Sequence, residues 1–436
     1  MTDIAESAGT RRAILDHASL SDIGLRRANN QDSFAVAPAA DDTDARRRGD
    51  LFMVADGMGA HAAGELASKI ACESIPHTYR KMLDRAPADA LRQAVLAANA
   101  SIHERGQANA EFQGMGTTCS ALVLVGGAAI VAHVGDSRVY RLRRETLEQL
   151  TFDHSLVWEM MAVGQLPRGE VAGFIPKNII TRSLGPHADV QVDMEGPFPL
   201  EVGDTFLLCS DGLSGQLKDE EIGSVLLALS PSEAARALVD MANLRGGPDN
   251  ITALVIRVAD LANGDGNAAP SSDALSANSG VHPILWGVMA LGMLVAISLV
   301  LADKMAAALA TGLAAGVAAV VALLASLLKS PPVESPGDAG PFGNGPHATH
   351  RCSPSAERAA VLCQMAQQLR EAAKEEHWTL DWATFNAHGE QAQASLAAGD
   401  FSQAVRQYAL AIVFMMCQIR HQSRKDRGDG GSVLDG

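Results

Sequence analysis

The stretch FMVADGMGAHAAGELAS, residues 52–68, joins an apolar run to an acid, a glycine-rich turn, one histidine and a helix-like segment. Residues 51–55 are continuously apolar, which is typical of a buried strand. Asp56 follows at once, and Gly57 after it lets the backbone turn and approach whatever the acid holds. A carboxylate at such a strand end can contact a helix N-terminus, a phosphate or a metal ion. This stretch alone leaves all three open.

The first 260 residues combine helical segments with short hairpin signals. The turns Gly126-Gly127 and Gly135-Asp136-Ser137 are short enough for antiparallel hairpins. Because the helical segments are separate from the runs of hairpins, we expect an α+β fold and not a doubly wound sheet. The predicted strands are 51–55, 117–125, 129–134, 138–142, 205–209 and 251–258. The predicted helices are 63–81, 88–107, 155–162, 219–229 and 232–244.

Composition excludes several classes of function. The net charge of the 436-residue chain is −15, and an acidic chain lacks the clustered Lys and Arg that nucleic-acid binding needs. The 6 cysteines are scattered without a C-x-x-C pair, which suits a reducing compartment and not a disulfide framework or a zinc site. Residues 1–12 contain no apolar core of a signal peptide, so we expect no cleaved signal.

Two uncharged apolar segments, 284–302 and 305–328, predict a membrane hairpin. A helix needs about 20 apolar residues to span a bilayer. The alternative is a buried helical hairpin of a soluble domain, but the polar linkers predicted at 261–283 and 329–350 leave no obvious partner to bury it. A hairpin returns the chain to the side it left. We therefore expect attachment to the inner membrane, with the parts on both sides of the hairpin facing the cytoplasm.

Residues 351–424 are rich in Ala, Gln, Glu, Arg and Leu and predict a small all-α region. The part at 397–412 resembles the second half of a tetratricopeptide unit. A plain helical hairpin is an equally good interpretation, because the bulky residues of the first helix of such a unit are absent. Residues 425–436 are expected to form a disordered tail.

Four acids lie where predicted strands or turns stop: Asp32, Asp56, Asp211 and Asp249. Carboxylates brought together repel one another unless a cation neutralises them. Oxygen ligands without His or Cys favour hard ions, Mg²⁺ or Mn²⁺, and the number of acids fits a two-metal centre. No P-loop motif is present. A C-x5-R spacing occurs at 352–358, but it follows a Pro/Gly-rich stretch without a phosphate cradle, so we interpret it as coincidence.

Taken together, eight motifs of the chain resemble the metal-dependent protein phosphatase 2C family, bacterial type. The motifs occur in the family's order and cover roughly residues 15 to 258. They are RxxNQD at 27–32, DGMGAHAAGELAS at 56–68, GMGTT at 114–118, GDSRVYR at 135–141, DHSLV at 153–157, ITRSLG at 180–185, SDGL at 210–213 and PDNIT at 248–252.

The resemblance implies a four-layer α-β-β-α sandwich in residues 1–260, with two antiparallel sheets and two Mn²⁺ or Mg²⁺ ions between them. It implies that Asp56 bridges both ions and that Asp211 and Asp249 complete the first site. The Gly57 carbonyl would bind the second ion, with Asp32 beside it.

Further roles follow from the same resemblance. Arg27 would hold the substrate phosphate, and a planar two-donor fork suits phosphoryl oxygens. Asp136, with Asp211, would match a third metal site, although some relatives carry an acid where this chain has Gly215. His61 would protonate the leaving oxygen, or it is a structural histidine at the entry of a helix. Residues 163–177 match the family's flap, a segment that selects substrates.

The expected function is a membrane-tethered protein serine/threonine phosphatase. A metal-bridging water would attack phosphoserine and phosphothreonine, because two ions about 3.5–4 Å apart can share and acidify a water. The expected partners are phosphoproteins and a matching serine/threonine kinase, and the C-terminal helices would form a docking or sensing module. Two alternatives are a pseudophosphatase scaffold and a membrane signalling adaptor whose phosphatase activity is gated or absent.

Overall fold

The computed structural model describes residues 11–59, 62–164, 179–263, 341–378 and 380–426. All of these described residues belong to one compact unit. No helix within the described residues is long and apolar enough to span a bilayer. The predicted membrane segments 284–302 and 305–328 lie outside the described residues.

Two antiparallel sheets of six strands each form the centre of this unit, which confirms the predicted sheet arrangement. The first sheet has the order β1 (Arg11–Asp22), β11 (Ile251–Asn263), β10 (Thr205–Cys209), β7 (Arg138–Arg143), β8 (Thr146–Gln149) and β12 (Ala348–Arg351). The second has the order β2 (Asp32–Ala37), β3 (Asp50–Met58), β5 (Cys119–Val125), β6 (Ala128–Val134) and β9 (Asp193–Pro199), with β4 (Gly116–Thr117) paired to β3.

Apolar side chains fill the space between the sheets. Phe52 and Leu122 of the second sheet pack with Phe206 and Leu254 of the first, and all four are almost fully buried. Strands buried on both faces lose the alternation of a half-exposed strand, and this is why β5 and β6 are buried along their whole length. The sheets therefore meet as a dry sandwich whose open edge can hold a site.

Helices cover the outer faces of both sheets. The second sheet is covered by α2 (Ala63–Lys81) and α3 (Pro87–Ala108). The first is covered by α5 (Asp211–Ser214), α6 (Asp219–Ala228) and α7 (Pro231–Leu244). Two other helices, α1 (Asp42–Arg47) and α4 (Leu156–Ala162), lie in connections. The α-β-β-α layers of the prediction are all present.

The α7 helix shows how local sequence sets these elements. Ser230 and Glu233 form a reciprocal capping box at its start, and Pro231 occupies the first turn, where a missing N–H costs nothing. Ala234, Leu238 and Ala242, spaced at i, i+4 and i+8, are fully buried against the first sheet. The cap and the apolar face together fix both the start of the helix and its orientation.

The C-terminal extension, residues 341–426, belongs to the same unit as the sheets. It contains β12, α8 (Ala356–Glu375), α9 (Trp382–Ala397) and α10 (Phe401–Asp426). The β12 strand pairs antiparallel with β8, and α10 packs on α6 and α7. Its buried residues, among them Tyr408 and Ile412, join the core that covers the first sheet.

Two domain boundaries differ from the predictions. The linker predicted at 329–350 ends in an ordered strand, because the unpaired edge of β8 provides a hydrogen-bonding partner for residues 348–351. The linker predicted at 261–283 begins later, since β11 continues to Asn263 opposite Arg11. In both places sheet pairing stabilises residues whose polar composition predicts a loop.

Candidate metal centre

Asp32 and Asp56 lie opposite each other on adjacent strands of the second sheet. They are paired residues in the antiparallel register of β2 and β3. The backbone of Asp56 is fixed on its other side by Thr118, whose N–H donates to the Asp56 carbonyl and whose Oγ1 accepts the Asp56 N–H, each at 2.8 Å. The strand register therefore sets where both carboxylates project.

Asp32 also joins the two sheets. Its Oδ2 accepts the hydroxyl of Ser210, at the end of β10, and the hydroxyl of Thr252, at the start of β11, each at 2.7 Å. Asp211 follows Ser210 directly, and Asp249 lies three residues before Thr252. These two hydroxyls hence bring the acids of the first sheet towards those of the second.

Close backbone packing holds the Asp211 and Asp249 loops together. A Cβ at Gly212 would lie 1.9 Å from the carbonyl oxygen of Asn250, so only glycine fits there. The Asn250 side chain accepts the Gln31 N–H at 2.8 Å and donates to two carbonyls of residues 23–29. One asparagine thus positions the loop that carries Arg27.

Asp136 enters the cluster from the β6–β7 turn. Gly135 has φ +114°, and a Cβ there would lie 2.6 Å from the Thr118 side chain. His154 stabilises the turn by two hydrogen bonds. Its ring Nδ1 accepts the Gly135 N–H at 3.0 Å, and its backbone N–H donates to the Gly135 carbonyl at 2.7 Å. With Nδ1 accepting, the ring proton is on Nε2, which donates to Asp193 at 2.9 Å.

The four acids that are most deeply set in this cleft resist ionisation. Desolvation raises the pKa of Asp32 to about 7, and the charges of Asp211 and Asp249 add smaller contributions in the same direction. The hydrogen bonds from Ser210 and Thr252 lower this pKa but do not offset the desolvation. Desolvation and then the neighbouring charges of Asp211 and Asp153 raise the pKa of Asp136 to about 8.

Asp56 and Asp211 follow the same pattern. Desolvation raises the pKa of Asp56 well above its usual range, and the charges of Asp32 and Asp211 raise it further. Desolvation and then Asp249 raise the pKa of Asp211. Buried carboxylates with these neighbours are stable as anions only when a cation neutralises them.

The donor set fits a hard divalent ion. Asp32, Asp136 and Asp211 each have one buried carboxylate oxygen, Oδ1, without a hydrogen-bond partner. Such orphaned acceptors are costly unless something binds them, and oxygen-only ligands select Mg²⁺ or Mn²⁺. No three Asp, Glu, His or Cys side chains in the described part of the chain form a completed metal-ligand arrangement. The fit therefore rests on the orphaned oxygens and the mutual repulsion of the acids.

The remaining predicted site residues have different surroundings. Arg27 is half-exposed, and its Nη2 donates to Asp249 Oδ2 at 2.6 Å. Gly57 lies against the Gly64 carbonyl, where a Cβ would be 2.1 Å away, and its N–H donates to Gln31. The ligand role of its carbonyl stays a prediction. His61 lies outside the described residues, as does most of the predicted flap 163–177.

Sequence reasoning missed the residues that support the acids. Ser210, Asn250, Thr252, Thr118 and His154 were part of the quoted motifs but had no predicted role. For Ser210, Asn250 and Thr252 the available signal was position, since each is within three residues of a predicted ligand, whereas Thr118 and His154 lie in motifs without a predicted ligand. What the sequence lacks is the crossing of the sheets, which makes Ser210 and Thr252 partners of an acid roughly 200 residues away.

A cavity of about 410 Å³ opens beside the acids. Asp136, Asp211 and Asp249 line it together with Val157, Trp158 and Met161 of α4. Arg138 and Asp153, also in the lining, are joined by a charge-assisted pair with Nη2 to Oδ2 at 2.8 Å. The acids are thus accessible from outside through a defined opening.

Comparison with known proteins identifies relatives of this unit. A sequence model of the family described as Protein phosphatase 2C matches residues 26–243. Protein phosphatase PhpP of Streptococcus pneumoniae is 37% identical over 242 residues, which are 54% of this chain and 95% of that protein.

Two solved structures are also similar. The serine/threonine phosphatase of S. agalactiae is 37% identical with a TM-score of 0.51, covering 56% of this chain and 100% of that one. The Mycobacterium tuberculosis serine/threonine phosphatase PstP/Ppp is 35% identical with a TM-score of 0.50, covering 56% of this chain and 99% of that one.

Proposed function

The chain belongs to the protein phosphatase 2C family, and from this we propose that it is a metal-dependent protein serine/threonine phosphatase. It hydrolyses phosphoserine and phosphothreonine in proteins. The observation that carries the proposal is the set of orphaned carboxylate oxygens on Asp32, Asp136 and Asp211 between the two sheets. Relatives that are named serine/threonine phosphatases, at 35–37% identity, support the same reaction.

Mn²⁺ or Mg²⁺ would be held by Asp56, Asp211 and Asp249, with Asp32 and the Gly57 carbonyl at the second position and Asp136 available for a third. When bound, the ions supply charge neutralisation and a water of lowered pKa for attack on phosphorus. Arg27, half-exposed at the edge of the acids, binds and orients the phosphoryl oxygens. His61 is our proposed proton donor to the leaving oxygen.

Phosphate release from a phosphothreonine peptide tests the proposal. The full chain should be active with Mn²⁺, lose activity in EDTA, and lose at least a hundredfold in the Asp249→Asn variant, because an amide cannot neutralise the ion. The matched control is Asp89→Asn, which changes an exposed acid on α3 that pairs with Arg92. Folded protein without activity under any divalent metal would refute the enzyme and favour the scaffold alternative.

We also propose that the chain is tethered to the inner membrane by the segments 284–302 and 305–328. Both are uncharged and near the length of a bilayer span. The catalytic unit would then face the cytoplasm, where a serine/threonine kinase produces its substrates. A topology reporter fused after Gly436 should give a cytoplasmic signal, whereas a periplasmic signal would mean that only one segment spans.

A further inference from the structure

We propose that the cavity beside the acids is a subsite for a large apolar side chain, preferably aromatic, that neighbours the phosphorylated residue in the substrate. We call its apolar wall, formed by Val157, Trp158, Met161 and Pro248, the apolar subsite. The inference rests on the proposed phosphatase function and specifies the class of phosphoprotein sequence that this site prefers.

The position of the cavity decides what can enter it. Its lining includes Asp136, Asp211 and Asp249, three of the acids proposed to hold the metal ions. A phosphoryl group at these acids brings the next residue of the same peptide to within about 3.8 Å between Cα atoms. That neighbour is therefore close enough to enter the same cavity of about 410 Å³, which Val157, Trp158 and Met161 of α4 also line.

Trp158 is fixed in place by its own contacts. Its ring forms a T-shaped contact with the ring of Phe152, with the centroids 5.4 Å apart and an angle of 87° between the ring planes. On another side, the guanidinium of Arg138 lies 5.6 Å from the ring centroid. Asp153 and the Tyr140 hydroxyl bind Arg138 in turn, at 2.8 Å each. An indole that is ordered beforehand gains more from binding an apolar group, because little entropy is lost.

Arg138 is poorly placed to recognise a polar substrate side chain, because its hydrogen-bonding groups are already in use. The Arg138 guanidinium is already engaged by Asp153 and Tyr140, so it has little capacity left for a substrate carboxylate. Asp136, Asp211 and Asp249, which also line the cavity, are proposed metal ligands. The apolar subsite itself discriminates through burial of apolar surface, which for one large side chain is worth about tenfold or more in kcat/KM.

Apolar residues also lie exposed next to the cavity. On the α4 side, Val163 is 70% and Ile179 is 42% exposed, and Ile179 accepts the N–H of Leu156 at the start of α4. Close to Pro248 in the chain, Gly247 accepts the N–H of Leu25, which is 67% exposed. The segments that adjoin the lining residues thus carry exposed apolar side chains.

Two adjacent methionines on α4 provide a matched test. Met160 and Met161 have the same side chain and similar partial exposure. Met161 lines the cavity, and Met160 is absent from the described residues that line it. Replacing each by Ala removes the same atoms from the same helix, so a difference between the variants reports the cavity and not helix stability.

The probes are three phosphothreonine peptides in which the neighbours of the phosphothreonine are Gly on both sides, Phe before it, or Phe after it. With Mn²⁺ and the full chain, we expect one Phe peptide to have about tenfold higher kcat/KM than the Gly peptide. Met161→Ala and Trp158→Ala should bring that ratio close to one while leaving the Gly peptide within about twofold. Met160→Ala should keep the ratio, and Trp158→Phe should restore most of it.

The outcomes separate this inference from the proposed function. No phosphate release from any of the three peptides would refute the phosphatase itself. Release at equal kcat/KM from all three would leave the phosphatase standing and refute the apolar subsite. The subsite would also be refuted if Met160→Ala reduced the ratio as much as Met161→Ala. A variant that failed to fold would be recognised by loss of activity on the Gly peptide, and Trp158→Phe then provides the test.

Discussion

Arg420→Met should destabilise the protein by an amount that depends strongly on pH. Asp240 of α7 has no exposed surface, and its Oδ1 accepts from Arg420 Nη2 of α10 at 2.5 Å. The other oxygen of this carboxylate, Oδ2, has no hydrogen-bond partner. Desolvation raises the pKa of Asp240 to about 6, with Arg420 acting in the opposite direction. Arg420 is therefore the main counter-ion of a buried acid at the docking face of the C-terminal extension.

The sign of the effect follows from the raised pKa. The folded protein keeps the Asp240 proton to higher pH than the unfolded chain, so stability falls as pH rises from about 4 to about 6, by about 3 kcal/mol. Without Arg420 the carboxyl pKa rises further, and stability continues to fall above pH 6. We expect Arg420→Met to cost about 3–5 kcal/mol at pH 8, where a buried charge is left uncompensated. At pH 5 the carboxyl is mostly protonated in both proteins, and the cost should be about 1 kcal/mol.

Urea unfolding of the full chain at pH 5 and pH 8, followed by tryptophan fluorescence, measures both values. Arg351→Met is the matched control, because the Arg351 side chain is 84% exposed on β12 and should change stability by less than about 0.5 kcal/mol at either pH. Combining Arg420→Met with Asp240→Asn should remove the pH dependence of the loss. A deficit of equal size at pH 5 and pH 8 would refute the assignment of the cost to a buried carboxylate.

Two further substitutions test the site and its support. Gly212→Ala places a Cβ 1.9 Å from the Asn250 carbonyl oxygen and should reduce phosphate release at least a hundredfold in folded protein. The control is Gly389→Ala, because no atom lies within 4 Å of a Cβ at that position. Activity of the Gly212→Ala variant within threefold of the unsubstituted chain would contradict this expectation. Tyr140→Phe removes the hydroxyl that donates to Asp219 at 2.7 Å and should lower the free energy of unfolding by about 1–2 kcal/mol. We expect the melting temperature to fall by about 2–4 °C. An unchanged melting temperature would show that this hydrogen bond adds no stability.

The fold was predictable where a segment carries its own pattern. The strand 205–209 and the helix 63–81 have the predicted bounds, because one is a continuous apolar run and the other a clear helical repeat. By contrast, β1 mixes apolar, charged and polar residues without a regular alternation, and β12 is only four residues long. Both are edge strands of the first sheet. An edge strand depends on the neighbour with which it pairs, and that neighbour is far away in sequence.

The candidate site divides in the same way. The acids Asp56, Asp211 and Asp249 were predictable because each lies at the end or the start of an apolar strand next to Gly or Asn. Ser210 and Thr252 were not, since a hydroxyl acquires its role only when a distant carboxylate is packed against it. Strand ends are local features, whereas the partners of a buried acid are set by how two sheets cross.

The C-terminal extension is continuous with the wall of the cavity. His350 of β12 lies 3.2 Å from Asp219, which accepts the Tyr140 hydroxyl at 2.7 Å. Tyr140 accepts from Arg138, and Arg138 binds both oxygens of Asp153 in the cavity lining. Polar groups buried in such a chain hold their positions only while each partner is present. The residues around Trp158 are therefore connected to the extension through a continuous series of polar contacts that runs from His350 to Asp153.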